Sequence, residues 1–209
     1  MIRVLGRATS GNVQKVIFLM EEMGVPYRRE DYSRQFNNTA TPEYLGMNPT
    51  GKVPTLVDGD VVVWESNAIL RYLSATLSPA LRGDTPSETA KVEPWMDWLL
   101  ATVNAPYLTL FKDLKKDPRD RSAQFDTDAK ALSAALQMAD GHLKDRTFLA
   151  LGRLTLADIA CAPVLKRCLD FPIDRPALPE LERWMAAMAE RPAFQVAIGA
   201  KPSAIAEAA

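Results

Sequence analysis

Along residues 12–23 the apolar side chains Val13, Val16, Ile17, Met20 and Met23 recur at a spacing of three, one, three and three, which fits one face of a helix. Gly24 stops that helix. Residues 2–6 before it and 25–30 after it read as short strands, so the chain opens with a strand-helix-strand unit. A polar stretch around Asn37, Asn38 and Thr39 follows. Residues 53–57 and 61–64 are then two β-rich runs on either side of Asp58-Gly59-Asp60, a strong hairpin signal. Glu65-Ser66-Asn67 opens a helix whose apolar positions are Ala68, Ile69, Tyr72 and Leu73. Through residue 77 the order is β-α-β-(α)-β-β-α.

Pro and Gly punctuate residues 78–86, which read as a linker. Everything beyond is helical in pattern: Val92, Trp95, Met96, Leu99, Leu100 and Val103 form one stripe, and Phe125, Ala129, Leu132, Leu136, Ala139 and Leu143 another. The pattern predicts an α/β domain over 1–77, the linker, and an all-helical bundle over 87–209. The last ten residues show no burying face and are expected to fray.

Composition narrows the function classes. Hydrophobic residues make up 47% and charged residues 24%, a globular balance. No apolar run approaches the roughly 20 residues that cross a bilayer, so no membrane partner is expected. With 25 Lys and Arg against 26 Asp and Glu, and no block of either sign, no nucleic-acid partner is expected either. The first residues run straight into a strand pattern with no leader-like segment, which points to a cytoplasmic address. Cys161 and Cys168 share one helix face about two turns, roughly 10 Å, apart, too far for a mutual disulfide, and read as small core residues. With a single histidine, His142, read as a helix-end residue, no metal site is expected.

The chemistry concentrates in three places. In Asn48-Pro49-Thr50-Gly51-Lys52-Val53-Pro54-Thr55-Leu56, Pro54 sits where a strand begins, and a cis Val53–Pro54 bond would free the Val53 backbone to pair with an extended peptide ligand. Gly46 to Lys52 has phosphate-loop spacing, but Val53 stands where a Ser or Thr would hold magnesium, and a strand follows instead of a helix. At Glu65-Ser66, Ser66 either caps the helix or joins the helix-start N–H groups in receiving a ligand carboxylate, with Glu65 pairing a ligand ammonium. The third place is Leu154-Thr155-Leu156-Ala157-Asp158-Ile159-Ala160, where Thr155 to Asp158 has capping-box form.

Asn-Pro-x-Gly-Lys-Val-Pro-x-Leu, a hairpin, Glu-Ser-x-Ala-Ile-x-x-Tyr-Leu and the later Thr-x-x-Asp segment together resemble the soluble glutathione transferases over nearly the whole chain. The resemblance implies a thioredoxin-like glutathione-binding domain at 1–77, glutathione as co-substrate, a small electrophile and a homodimer. It implies glutathione contacts at Lys52, Val53, Pro54, Glu65 and Ser66, with Asn38 reaching the glycyl end. The thiol-activating residue of such enzymes sits at the start of the first helix. That segment, residues 8–16, holds neither Tyr nor Cys, so the resemblance is to the serine-type theta-like, beta-like and nu-like bacterial groups. It places Ser10 on the activating hydroxyl and Asn12 beside it, with Thr9 as the rival.

Trp95 reads as core, whereas Tyr107 and Phe111, four apart after Pro106, are candidates to line the electrophile pocket above the thiol. The expected activity is thiol attack on an electrophilic carbon, or peroxide or disulfide reduction. The alternative is a non-catalytic ligand- or protein-binding member of the same fold.

Overall fold

The computed structural model describes residues 1–207, with Glu207 described by its backbone. Its contacts divide the chain into two compact units: Met1–Asp84 with the chain from Ala189 onward, and Thr85–Met188.

The first unit is built on β1 (Ile2–Leu5), α1 (Gly11–Met23), β2 (Tyr27–Glu30), α2 (Pro42–Met47), β3 (Thr55–Asp58), β4 (Val61–Trp64) and α3 (Ser66–Leu77). The sheet order is β4-β3-β1-β2-β5, with β1 parallel to β2 and antiparallel to β3. α1 returns the chain between the parallel pair β1 and β2. It ends as a Schellman turn: Gly24, at φ 65°, donates to Glu21 O, and Val25 N donates to Met20 O. A stripe on one face was expected of α1, yet Val13 through Met20 are all buried. The cause is α9 (Pro192–Ala197), which packs on α1 with the Phe18 and Phe194 rings 5.2 Å apart, edge to face.

This return corrects two expectations. The chain from Ala189 belongs with the α/β unit and not with the helical one. The final stretch is also not frayed as far as Glu207, because β5 (Ala206–Glu207) pairs in parallel with β2. Glu21 secures it by accepting from Tyr27 Oη at 2.7 Å and from Ser203 Oγ, while Ser203 Oγ accepts from Ala206 N. Burial first, and then the bond to Glu21, raise the Tyr27 hydroxyl well above its ordinary range. Arg191 adds an ion pair to Glu22.

The second unit is helical: α4 (Pro86–Trp98), α5 (Asn104–Asp113), α6 (Phe125–Leu143), α7 (Leu156–Leu169) and most of α8 (Pro179–Glu190). Trp95 stands on α4, and Tyr107 and Phe111 on α5: a π-helical turn at Leu99–Val103 separates the two helices, with Asn104 N bonded to Leu99 O. Pro106 has no N–H to return to Thr102, and the ladder widens just before it. Cys161 and Cys168 are free and buried in α7, and His142 ends α6 with Nε2 2.9 Å from Leu149 O.

Thr155 and Asp158 form the capping box of α7, with Thr155 N donating to Asp158 Oδ2 at 3.1 Å. Between α5 and α6, Lys116 first and then the Ser122 side chain and N–H hold the Asp113 carboxyl down to about 2 from an ordinary 3.8. A depressed folded pKa means the unfolded chain binds the proton more readily. The stability it contributes is therefore present above about 3.8 and is lost as pH falls through about 2. Carbon-13 titration of Asp113 should show that low midpoint in the wild type and a higher one in Ser122→Ala.

Candidate functional site

The candidate site lies in the first unit, where the chain leaves β1 and enters α1. Gly6 N donates to Glu30 O at 2.8 Å and Arg7 N to Tyr32 O at 3.0 Å, so the β1–β2 ladder runs past the strand ends. Gly6 has no room for a side chain: an added Cβ would stand 2.4 Å from Val13 Cγ2 and 3.3 Å from the Val53 Cβ. The first turn of α1 and the residue before Pro54 therefore approach each other across that glycine.

Ser10 is the N-cap of α1 by backbone geometry, at φ −80° and ψ 123°, yet its side chain makes no capping bond. The half-buried hydroxyl is not consumed by the helix it begins. Thr9, one residue earlier, is exposed and lies outside the cap position. Asn12, in the first turn, accepts a hydrogen bond from Ser66 Oγ at 3.3 Å. That bond brings the starts of α1 and α3 together, although 54 residues separate them in sequence.

Glu65 precedes α3 at φ 67° and ψ 121°, a conformation that costs a non-glycine residue about 1–3 kcal/mol. Its carboxylate is exposed and makes no cap bond, whereas Ser66 is buried. A helix start carrying a strained acidic residue and a buried hydroxyl is suited to a ligand that presents an ammonium and a carboxylate side by side.

The Val53–Pro54 bond is cis. The segment leading to it is held by a buried network that the sequence motif did not reveal. Asn48 Nδ2 donates to Lys52 O at 2.9 Å and to Thr55 Oγ1 at 3.0 Å, and Tyr44 Oη donates to Lys52 O at 2.6 Å. Asn48 Oδ1 in turn accepts from Thr50 N and from Thr50 Oγ1. Asn48 and Tyr44 are each 1% exposed. Burial raises the Tyr44 hydroxyl, which keeps it a protonated donor. Gly51, at φ 61°, completes the turn, where a Cβ would press on Thr39 O at 3.1 Å. The sequence signal for Asn48 was its place before Pro49 and two residues before Thr50, an Asx-turn arrangement. Lys52 itself is exposed.

Asn38 stands in the loop between β2 and α2. Its side chain accepts from Ser33 N at 3.0 Å and donates to Asp31 O at 2.9 Å, bracing the loop between β2 and α2. Within the second unit, Tyr107 is 6% exposed, its ring 5.7 Å from Phe111 and 5.9 Å from Phe171, and its hydroxyl accepts from Arg167 Nη1 at 3.1 Å. Phe111 is half-buried. Among the described residues no group of His, Cys, Asp and Glu is placed to hold a metal ion.

Comparison with known proteins decides what this arrangement belongs to. Residues 9–76 match the family model for the glutathione S-transferase N-terminal domain, and residues 98–192 that for its C-terminal domain. The chain is 34% identical to glutathione S-transferase GstB of Escherichia coli K12, over 93% of this chain and 96% of that one. It belongs to the glutathione S-transferase family. Among solved structures, the glutathione-bound theta class glutathione S-transferase of Xanthomonas axonopodis pv. citri superposes with a TM-score of 0.89 at 36% identity, covering 97% of this chain and 99% of that one. The family also reaches beyond transferases by name. Elongation factor 1-gamma of Equus caballus is 35% identical over 76% of this chain, a match that spans 37% of the longer protein. The family's two-domain design, a thioredoxin-like domain followed by helices, is the fold class expected from the sequence.

Proposed function

We propose that the chain is a glutathione transferase that holds the glutathione thiol as a thiolate at Ser10, with Asn12 assisting and Thr9 as the rival for Ser10's role. The observation that carries this reading is the Ser10 hydroxyl at the start of α1, free of any capping bond. Glu65 pairs the γ-glutamyl ammonium, Ser66 and the α3 start receive its carboxylate, and the Val53 backbone, beside Lys52 and Pro54, pairs the cysteinyl part. Asn38 reaches the glycyl end.

The energetics are sufficient. A free thiol near pKa 8.5 lowered by two units needs about 2.7 kcal/mol of preference for the anion. A hydrogen bond to a charged group supplies about 1.5–3 kcal/mol, and a helix N-terminus adds about 0.3–1. The thiolate then attacks an electrophilic carbon; reduction of peroxides or disulfides would use the same anion.

In this reading the second unit holds the electrophile on Tyr107 and Phe111, and the chain works in the cytoplasm as a homodimer. The edge strand β4 supports pairing with a second copy, since Val61, Val62 and Trp64 are 44%, 39% and 39% exposed. Immobilised glutathione tests the reading against a non-catalytic member of the fold, the reading favoured by the likeness to elongation factor 1-gamma. The transferase should be retained and released by free glutathione. A protein lacking the site flows through.

A further inference from the structure

Two segments of the first unit are tied together at Tyr32, in the loop after β2. The Tyr32 carbonyl accepts from Arg7 N at 3.0 Å, and the Arg7 carbonyl accepts from Ser10 N at 3.1 Å, so the turn that presents the Ser10 hydroxyl hangs from Tyr32. The Tyr32 ring faces the other way. It stacks on the Tyr44 ring, with the centroids 5.2 Å apart and the planes at 23°. Tyr44 Oη in turn donates to Lys52 O at 2.6 Å, beside the bond from Asn48 Nδ2 to the same oxygen at 2.9 Å. The Tyr32 hydroxyl makes no hydrogen bond among the described residues, so the half-buried ring works by its face alone.

A peptide group is planar, so the donors that fix the Lys52 carbonyl also fix the direction of the Val53 N–H. That N–H is unpaired among the described residues. A cysteinyl ligand in the proposed mode must satisfy two grips at once, its backbone at Val53 and its sulfur at Ser10. One short side chain joins the two, so both grips close only at one separation. Contact across Gly6 limits how near the two segments come, and the stacked rings limit how far they part. We propose that Tyr32 and Tyr44 are positioning residues that hold the Ser10 turn and the Val53 backbone at the separation one cysteinyl residue spans, an inference that rests on the transferase reading. Tyr32 thereby acts on the thiol without touching it, because a hydrogen bond to sulfur weakens steeply once its distance and angle are lost.

The test is ultraviolet titration of bound glutathione in Tyr32→Ala, which removes the ring and leaves the backbone carbonyl, and in Tyr32→Phe, which keeps the ring. Tyr32→Ala should raise the thiol pKa by about half a unit, or about threefold in the thiol–thiolate equilibrium, and Tyr32→Phe should restore the wild-type value. In a Ser10→Ala background the Tyr32→Ala shift should be markedly smaller, because the ring acts through that hydroxyl. Tyr44→Phe keeps both rings and gives up one bond to Lys52 O, so it should weaken glutathione binding about threefold in calorimetry. A Tyr32→Ala titration like that of wild type, or a shift as large without the Ser10 hydroxyl as with it, overturns the positioning role and leaves the transferase reading standing. Wild-type protein that fails to bind glutathione removes that reading, and amide measurements on the ligand-free protein then decide. Faster hydrogen exchange at Arg7 and Ser10 in Tyr32→Ala, together with a lower order parameter at the Val53 N–H, upholds the coupling of the two segments. No change at either end overturns it.

Discussion

Replacing Asp158 with alanine should destabilise the protein by about 3–5 kcal/mol, because several buried donors lose their acceptor at once. The carboxylate is fully buried and accepts from Leu149 N at 2.9 Å, Trp184 Nε1 at 3.0 Å, Thr155 N at 3.1 Å and Thr155 Oγ1 at 3.2 Å. One side chain thus ties the start of α7 to the loop before it and to α8. Burial pushes the carboxyl above its ordinary range, against the pull of these donors. Each donor left unpaired in the interior costs about 1–3 kcal/mol, and backbone relaxation or water recovers part of the sum. For a chain of this size the loss corresponds to roughly 6–20 °C in melting temperature. Asp158→Asn keeps one acceptor oxygen but turns an N–H₂ toward groups that are themselves donors, so it should lie between wild type and alanine. Calorimetric melting that places Asp158→Ala within 1–2 °C of wild type would show that the network is not a keystone of the second unit.

The second large effect concerns the ligand. Glu65→Ala combined with Ser66→Ala should abolish measurable glutathione binding while the melting temperature stays near wild type. Both residues face the charged γ-glutamyl end in the proposed mode. Removing one partner of a charge-assisted pair costs about 1.5–3 kcal/mol, so losing two weakens binding by about two to four orders of magnitude. Glu65→Ala keeps a residue with a Cβ at positive φ, so the backbone strain is unchanged and the effect reads the carboxylate alone. Since Ser66 Oγ donates to Asn12 Oδ1, Ser66→Ala and Asn12→Ala should also be non-additive, whereas Ser66→Ala and Lys52→Ala should add. Undiminished binding in the double variant would move the γ-glutamyl subsite elsewhere.

Local chemistry explains what the sequence made readable. Gly24 as a left-handed helix end, Asp58-Gly59 as a hairpin turn and Thr155 to Asp158 as a capping box are each decided by neighbours a few residues away. Side chains that serve distant partners were not readable. Nothing around Asn48 says that its amide will hold Lys52 O, and nothing in the alanine-rich end says that Ala206 will pair with Tyr27. The burial of α1 on nearly every side depends on Phe194, 176 residues after Phe18 by their numbers. Pro106 is plain in the sequence, but the π-helical turn just before it depends on how the ladder absorbs the missing donor. Ser10 and Ser66 were singled out as candidates by resemblance. That the Ser10 side chain leaves the cap unmade is visible only in three dimensions.

The central claim, thiol activation by Ser10, is tested most directly by ultraviolet titration of the thiolate of bound glutathione in wild type, Ser10→Ala and Thr9→Ala. Ser10→Ala should raise the thiol pKa by about one to two units, on the order of 1.4–2.7 kcal/mol, with the rate at pH about 6.5 falling in step. Part of the activation should survive, because the α1 start and Asn12 remain. Thr9→Ala should leave the titration where it is. A shift in Thr9→Ala with none in Ser10→Ala would contradict the account and hand the hydroxyl's role to Thr9.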